Sequence, residues 1–226
     1  MTNKEKYCTV RTEYFYEQER SFSMDWEIFS ILSLADARPT QESSCAAFLV
    51  TASDSRNALS ILRRGVAEQY CGHLLILGAT GQNNGYAGPK VWRQQLQDLQ
   101  VDPKNIVEVP WTLDGENHNT LTEAVVIARY AKQQGYKMLT TISWPAHQPR
   151  AFASMITAAL REYPELKVYS APGSPLSWFE KVVHSQGKQQ GTRITLLEEE
   201  IKKLRQYEAN GSIAPLAKIL EYLEKR

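Results

Sequence analysis

The sequence predicts an α/β fold: a Rossmann-like parallel sheet of about five strands with flanking helices and a C-terminal helical extension. Two features lead to this class. Short apolar runs alternate with longer amphipathic stretches, the pattern of βαβ units around a parallel sheet. The segments that follow those runs are dense in polar residues and glycine, as expected of loops at the carboxyl ends of strands.

The runs Ala46 to Val50, Leu74 to Leu77, Ile106 to Val109, Met138 to Ile142 and Val168 to Ser170 read as strands. A parallel strand covered on both sides is apolar on both faces, and AAFLV and LLIL meet that condition. Between them, Arg56 to Tyr70, Lys90 to Leu99, Thr120 to Gln134 and Arg150 to Tyr163 carry apolar residues three or four apart and read as crossover helices. Ser53 or Asp54 can cap the first by accepting hydrogen bonds from free backbone N–H groups. The third begins just after Asn117, His118 and Asn119 and ends before Gly135.

Upstream of the first strand, Met24 to Ala37 places Trp26, Phe29, Leu32 and Leu34 on one helix face, which is expected to pack against the sheet edge. After the fifth strand, His184 to Thr192 is polar and glycine-containing and reads as an exposed loop or lid base. Ile194 to Glu208 and Pro215 to Lys225 form two closing helices, separated by a stop at Ala209, Asn210 and Gly211. The expected organisation is an N-terminal helical segment over residues 1–44, a Rossmann-like domain over 45–182, and a polar loop with two helices over 183–226. Both outer segments are expected to pack on the core.

Composition sets the class. The chain has 226 residues, 42% of them hydrophobic and 23% charged, with a net charge of +1. A chain of this length buries roughly 70% of its unfolded surface, so its core needs neither disulfides nor a structural metal. Cys8, Cys45 and Cys71 are odd in number and widely spaced, against a disulfide framework or a zinc ribbon; Cys45 and Cys71 read as core residues. A reducing cytoplasm is the expected location. The first twenty residues mix charge with aromatics and lack the apolar stretch of a secretory signal, and no apolar run reaches the length of a membrane span. Near-zero net charge removes the driving force of a dedicated nucleic-acid binder.

Four strand-following segments hold the candidate chemistry: TASDSRNA, GATGQNNGYAGP, PWTLDGENHNT and SWPAHQPRA. Gly78, Gly81, Gly85 and Gly88 follow an apolar strand, where glycine lets backbone N–H groups approach an anion or nucleotide. Their spacing is neither GxGxxG nor GxxxxGK[ST], and a plain turn is the alternative. His147 and Arg150 lie three residues apart at a strand-to-helix junction. There an imidazole can transfer protons and a guanidinium can hold phosphate or carboxylate, unless the pair is a solvent-facing cap and a surface arginine. Asp54 and Arg56, with Ser53, follow the first strand and serve either a ligand or a helix cap. Asn119 and Thr120 have the same two roles open to them, while His118 reads as a surface residue. No HxH, HExxH or DxD spacing predicts a metal site, and no GxSxG elbow predicts a serine hydrolase.

At these loops the chain resembles the ElyC/SanA/YdcF family, in particular its soluble YdcF-like branch. The residues that carry the likeness are AFLVTASDSRNALSILRRG, HLLILGATG, LQVDPKNIVEVP with NHNTLTEA, and ISWPAHQPRAFASM followed by YPELKVYSAPG, in that order. The likeness covers about residues 25 to 175, and LRQYEANGSIAP extends it into the closing helices. It implies a Rossmann-like sheet with a pocket made by these loops and a nucleotide-like ligand, S-adenosylmethionine among the candidates. Two departures stand out. Ala87 or Gly88 occupies the place where the family usually has a Glu, and Thr122 and Glu123 replace its Glu-then-Asn, so that Glu123 can substitute only from one position along the helix.

The expectation is therefore a small anionic or nucleotide-like ligand at the strand carboxyl ends. Ser53, Arg56, Gly78, Gly81, Asn119, Thr120 and Arg150 would bind it, with His147 as the proton-transfer group and Asp54 orienting the substrate. A hydrolase or transferase acting on a phosphorylated or nucleotidyl substrate is the second reading. The third is a non-catalytic interaction protein that uses the C-terminal helices, although the EEEIKKLR face reads as solvated.

Overall fold

The computed structural model of the protein describes residues 25–36, 45–50, 72–78, 88–113, 118–173, 176–184 and 189–226. Strand β1 (Cys45–Leu49) lies in the middle of a five-stranded sheet, between β2 (His73–Leu77) and β4 (Met138–Ser143). Strand β3 (Ile106–Val109) continues the sheet beyond β2, and β5 (Lys167–Pro172) beyond β4. All four pairings are parallel, with Phe48 of β1 opposite Leu75 on one side and Thr141 on the other. The order β3-β2-β1-β4-β5 is that of a Rossmann-like sheet, and its direction of winding reverses between β1 and β4.

Helices α1 (Trp26–Leu34), α2 (Pro89–Asp98), α3 (Thr120–Gln134), α4 (Gln148–Glu162), α5 (Arg193–Ala209) and α6 (Leu216–Lys225) surround the sheet. The crossover helix expected over Arg56 to Tyr70, and Cys71 beside it, lie outside the described residues. Leu74, Ile76 and Ile142 form a smaller core with Trp92 and Leu96 of α2. Phe48, Leu75, Leu77, Leu139 and Val168 belong to a larger one, completed by side chains of α1, α3, α4, α5 and α6. The alternation of strand side chains between the faces produces this division, since neighbouring residues point to opposite sides.

Local sequence sets the helix ends. Asn119 opens α3 with a capping box: its Oδ1 accepts from the N–H groups of Leu121 and Thr122, and Thr122 Oγ1 accepts from the N–H of Asn119. Gly135 closes the same helix at φ 72°, a backbone angle that favours glycine. Pro149 in the first turn of α4 lets that helix start at Gln148, before the expected Arg150.

Helix α1 packs on α4 and on the edge strand β5 through a face that includes Trp26 and Phe29, as expected, but not Leu32. Trp26, Phe29, Ser30 and Ser33 are buried, whereas Leu32 is 42% and Ile31 66% exposed. The serines can face inward because their hydroxyls donate to helix carbonyls, Ser30 to Trp26 and Ser33 to Ser30. Apolar content alone points to the leucines; satisfied hydroxyls make the serine face equally buriable.

The segment expected to be a polar loop forms an antiparallel hairpin, β6 (Lys181–His184) with β7 (Gln189–Thr192), and the boundary placed at 182–183 falls inside β6. Its polar residues conceal the strand period, and what fixes it is a close approach: a Cβ on Gly191 would lie 2.7 Å from Thr195 Oγ1 in the next helix. Helices α5 and α6 then return across the larger core and bury Leu196, Leu204, Ile219 and Tyr222. The Tyr222 hydroxyl accepts from the Val168 N–H at 2.7 Å and donates to the Leu166 carbonyl, tying α6 to the start of β5. Arg226 pairs with Asp36 at the end of α1.

Because Ile219 is fully buried, Ile219→Ala should lower the unfolding free energy by about 2–5 kcal/mol, read by urea denaturation. A surface-helix cost of a few tenths of a kcal/mol would contradict the placement of α6 in the core.

Candidate functional site

A reversal of winding leaves a crevice between the loops that follow the two central strands, the usual ligand position in an open α/β sheet. Here these are the loops after β1 and β4, with the start of α3 beside them. The β1 loop passes out of the described residues after Val50, so Ser53, Asp54 and Arg56 lie outside them. So does Gly81 after β2, together with Ala87.

After Ser143 the chain turns through Trp144, Pro145 and Ala146 into α4. The N–H groups of His147 and Gln148 both donate to the Trp144 carbonyl, at 3.0 and 2.9 Å. The turn aims the His147 ring inward, where it is 2% exposed, and Arg150 follows in the first turn of the helix, 8% exposed. Neither is the solvent-facing cap or surface arginine that the sequence left open: His147 occupies the N-cap position without a side-chain capping bond.

Their partner comes from far along the chain. Glu200, from the segment read as a solvated face, is fully buried. Its Oε2 accepts from His147 Nδ1 at 2.8 Å and from Arg150 Nε; its Oε1 accepts from Arg150 Nη2 at 3.3 Å and Lys203 Nζ at 2.8 Å. A carboxylate leaves water only where donors replace its hydration, and four converge here. The remaining edge of Arg150 reaches the start of α3, where Nη1 donates to Thr120 Oγ1 at 2.8 Å. That hydroxyl also lies 3.5 Å from His147 Nε2. Glu123, one turn further on, is buried close enough to act electrostatically on Arg150. Burial pulls the Arg150 pKa down, but the charge and hydrogen bond of Glu200, with Tyr207 and Glu123 adding to them, carry it above the ordinary guanidinium value.

Proton positions follow from these contacts. The Glu200 carboxylate accepts from Arg150 and Lys203, and His147 presents Nδ1–H to it. In a neutral imidazole Nε2 is then an acceptor, turned toward Thr120. The arrangement joins an oriented base, a hydroxyl and a guanidinium at one end of the sheet.

The other expected residues separate by role. Asn119 spends its side-chain oxygen on the α3 cap, while Thr120 faces the cluster. Gly78 donates its N–H to the Val109 carbonyl at 2.8 Å, and a Cβ there would lie 2.9 Å from Glu108 Cγ and 3.2 Å from that carbonyl; strand packing therefore gives this glycine a reason of its own. His118 stacks on Trp111 with ring centroids 3.9 Å apart and forms an aromatic wall at the end of β3. Below the turn, the Ser143 hydroxyl is buried without a hydrogen-bond partner among the described residues. Beside the turn, Trp178, Val182 of the hairpin and Leu197 pack around Trp144, Ala146 and Leu196. Among the described residues no group of three His, Cys, Asp or Glu side chains is arranged to hold a metal ion. Nor is any helix there long and apolar enough to cross a membrane.

The fold and this cluster define a Rossmann-like α/β protein with a buried Glu–His–Arg group beyond its strand carboxyl ends. No family model, curated protein or solved structure matches the chain.

Glu200→Gln should destabilise the fold by about 3–5 kcal/mol, the usual effect of removing one member of a buried ion-paired group. Asn119→Ala should cost about 1 kcal/mol, the value of a lost N-cap. Urea denaturation checks both, and a Glu200→Gln effect below that of Asn119→Ala would contradict the described burial.

Proposed function

We propose that the protein binds a small anionic or nucleotide-like molecule at the carboxyl ends of its strands and acts on it by proton transfer through His147. The observation that carries this reading is the buried His147–Glu200 bond, with Nε2 on the other side of the ring 3.5 Å from Thr120 Oγ1 and Arg150 beside it. A base held in one tautomer by a carboxylate and aimed at a hydroxyl is suited to general acid–base work. The Ser143 hydroxyl adds a buried polar atom that a ligand can satisfy, and the Trp111–His118 stack offers a flat surface to a heterocycle.

The YdcF-like resemblance belongs to this proposal, with its nucleotide-like ligand, S-adenosylmethionine included, and a cytoplasmic setting. A hydrolase or transferase for a phosphorylated or nucleotidyl substrate is the enzymatic form closest to it, since the oriented histidine supplies what such a reaction requires. An interaction role for the C-terminal helices has less support: Leu196, Leu204, Leu216 and Ile219 are buried and Glu200 belongs to the cluster.

The test is thermal unfolding of the full chain against nucleotides, S-adenosylmethionine, sugar phosphates and inorganic phosphate. A ligand at one hundred times its Kd adds about 2.7 kcal/mol to stability, a rise of roughly 5–10 °C in Tm for a domain this size. One chemical class should produce it. In His147→Asn, where the amide keeps a donor toward Glu200 but removes Nε2, the Tm rise should persist while turnover falls by about 10²–10⁴. Absence of any rise at saturating concentrations defeats the reading.

A further inference from the structure

We infer that the protein carries a second ligand site, at the amino end of β5, and that this site takes a free medium-chain carboxylate, one alkyl chain with a single anionic head. The site is a cavity of about 390 Å³ between the end of α4, the turn that leads into β5, and α6. It lies at the opposite end of the sheet from the Glu200 cluster and shares no residue with it. The inference therefore goes beyond the proposed function and does not rest on it. A cavity of this volume is at the small end for a small-molecule site, enough for one short chain and too little for part of a bilayer.

The floor selects the body of the ligand. Leu166 and Tyr222 are buried and Leu160 is half-buried, so the deep part of the cavity is apolar. Its polar groups are already engaged. The Tyr222 hydroxyl accepts from the Val168 N–H and donates to the Leu166 carbonyl. The Leu166 N–H donates to the Tyr163 carbonyl at 3.0 Å, and the Lys167 N–H to the Lys137 carbonyl at 2.9 Å. A sugar or nucleotide placed against this floor would strip water from its hydroxyls without gaining partners for them. An alkyl chain has no such groups to lose and gains from every methylene it removes from water.

The mouth selects the head. Lys167, Lys218, Lys225 and Arg226 line the cavity against two carboxylates, Glu165 and Glu221. Lys225 is paired with Glu221, and Arg226 with Asp36. Lys218, in the first turn of α6, also acts electrostatically on Glu221. Together with Lys167, which opens β5, it brings positive charge to the mouth from two different elements, and both side chains are exposed there. Positive charge above an apolar floor is the complement of an amphipathic anion. The cost of drawing a charge out of water grows with its square, whereas its attraction to the lysines grows only in proportion. A single charge is therefore favoured over the double charge of a phosphate monoester.

The test titrates octanoate into the full chain at low salt by isothermal titration calorimetry, with acetate as the head alone and octanol as the chain alone. One octanoate per chain should bind, at least about tenfold more tightly than either control, and its affinity should fall as salt is raised. The double variant Lys167→Glu with Lys218→Glu changes two exposed positions and should weaken octanoate by about tenfold or more. Circular dichroism confirms that it is folded. His147→Asn should leave octanoate binding unchanged. Absence of octanoate binding at millimolar concentration overturns the site. So does acetate or octanol that binds as tightly as octanoate, or an octanoate affinity that the double variant leaves unchanged. Loss of octanoate binding in His147→Asn places the ligand at the strand carboxyl ends instead, which overturns the second site and supports the proposed function.

Discussion

A single buried carboxylate sets the geometry of this molecule. Glu200 sits on a helix that follows the whole sheet in the chain, yet it receives donors from the turn after the central strand β4 and from its own helix. In water such a group costs nothing to leave solvated; inside, it is tolerable only with every oxygen satisfied, so the partners must arrive together. That requirement fixes the rotation of α5, the inward turn of His147 and the direction of Arg150. Through Arg150 it also fixes the start of α3.

The rest of the architecture serves that convergence. The parallel order places β4 beside β1, so the turn carrying His147 opens at the reversal of winding and not at an edge. The hairpin before α5 stacks Trp178 and Val182 on the same turn and shields it from bulk water, which strengthens each polar contact inside. At the opposite end of the sheet, α1 and α6 are closed by Arg226 on Asp36 and by the Tyr222 hydroxyl on β5. There the contacts are of a kind that holds a domain together.

The sheet was legible because its strands obey a simple constraint. The strand residues Leu74 to Leu77 and Ala46 to Phe48 have water on neither face, and the crossover helices have it on one, so periodicity separates them. The capping signals at Asn119 and Gly135 are local chemistry and read equally well. Legibility failed where a polar group is buried by a distant partner. Ser30 and Ser33 hide behind hydroxyl bonds to their own helix, and the hairpin depends on the fit of Gly191 against Thr195. Glu200 is the sharpest case: in EEEIKKLR it has acidic neighbours and lysines two and three residues ahead, the composition of a solvated helix. The available signal lay in the flanking Leu196 and Leu204, four residues to either side, which place Glu200 on the apolar stripe. His147, Arg150 and Thr120 were singled out because they follow strands; Glu200, the partner that His147 and Arg150 share, was not, because nothing local announces a contact fifty residues away.

Helix α5 carries a second buried group. Arg193, in its first turn, donates to the Ser177 carbonyl and to Glu180, both at 2.7 Å, and so fastens the segment that leads into the hairpin. It stands seven residues before Glu200, nearly two full turns, so both side chains leave the helix on about the same side. The segment that leads into the hairpin and the carboxylate of the cluster are thereby kept in phase by one rigid rod. An insertion or deletion of a single residue between them would rotate one against the other by about 100°, and no adjustment of side chains could restore both. The hairpin can drift in sequence and still hold its place, whereas the spacing from 193 to 200 cannot change in length.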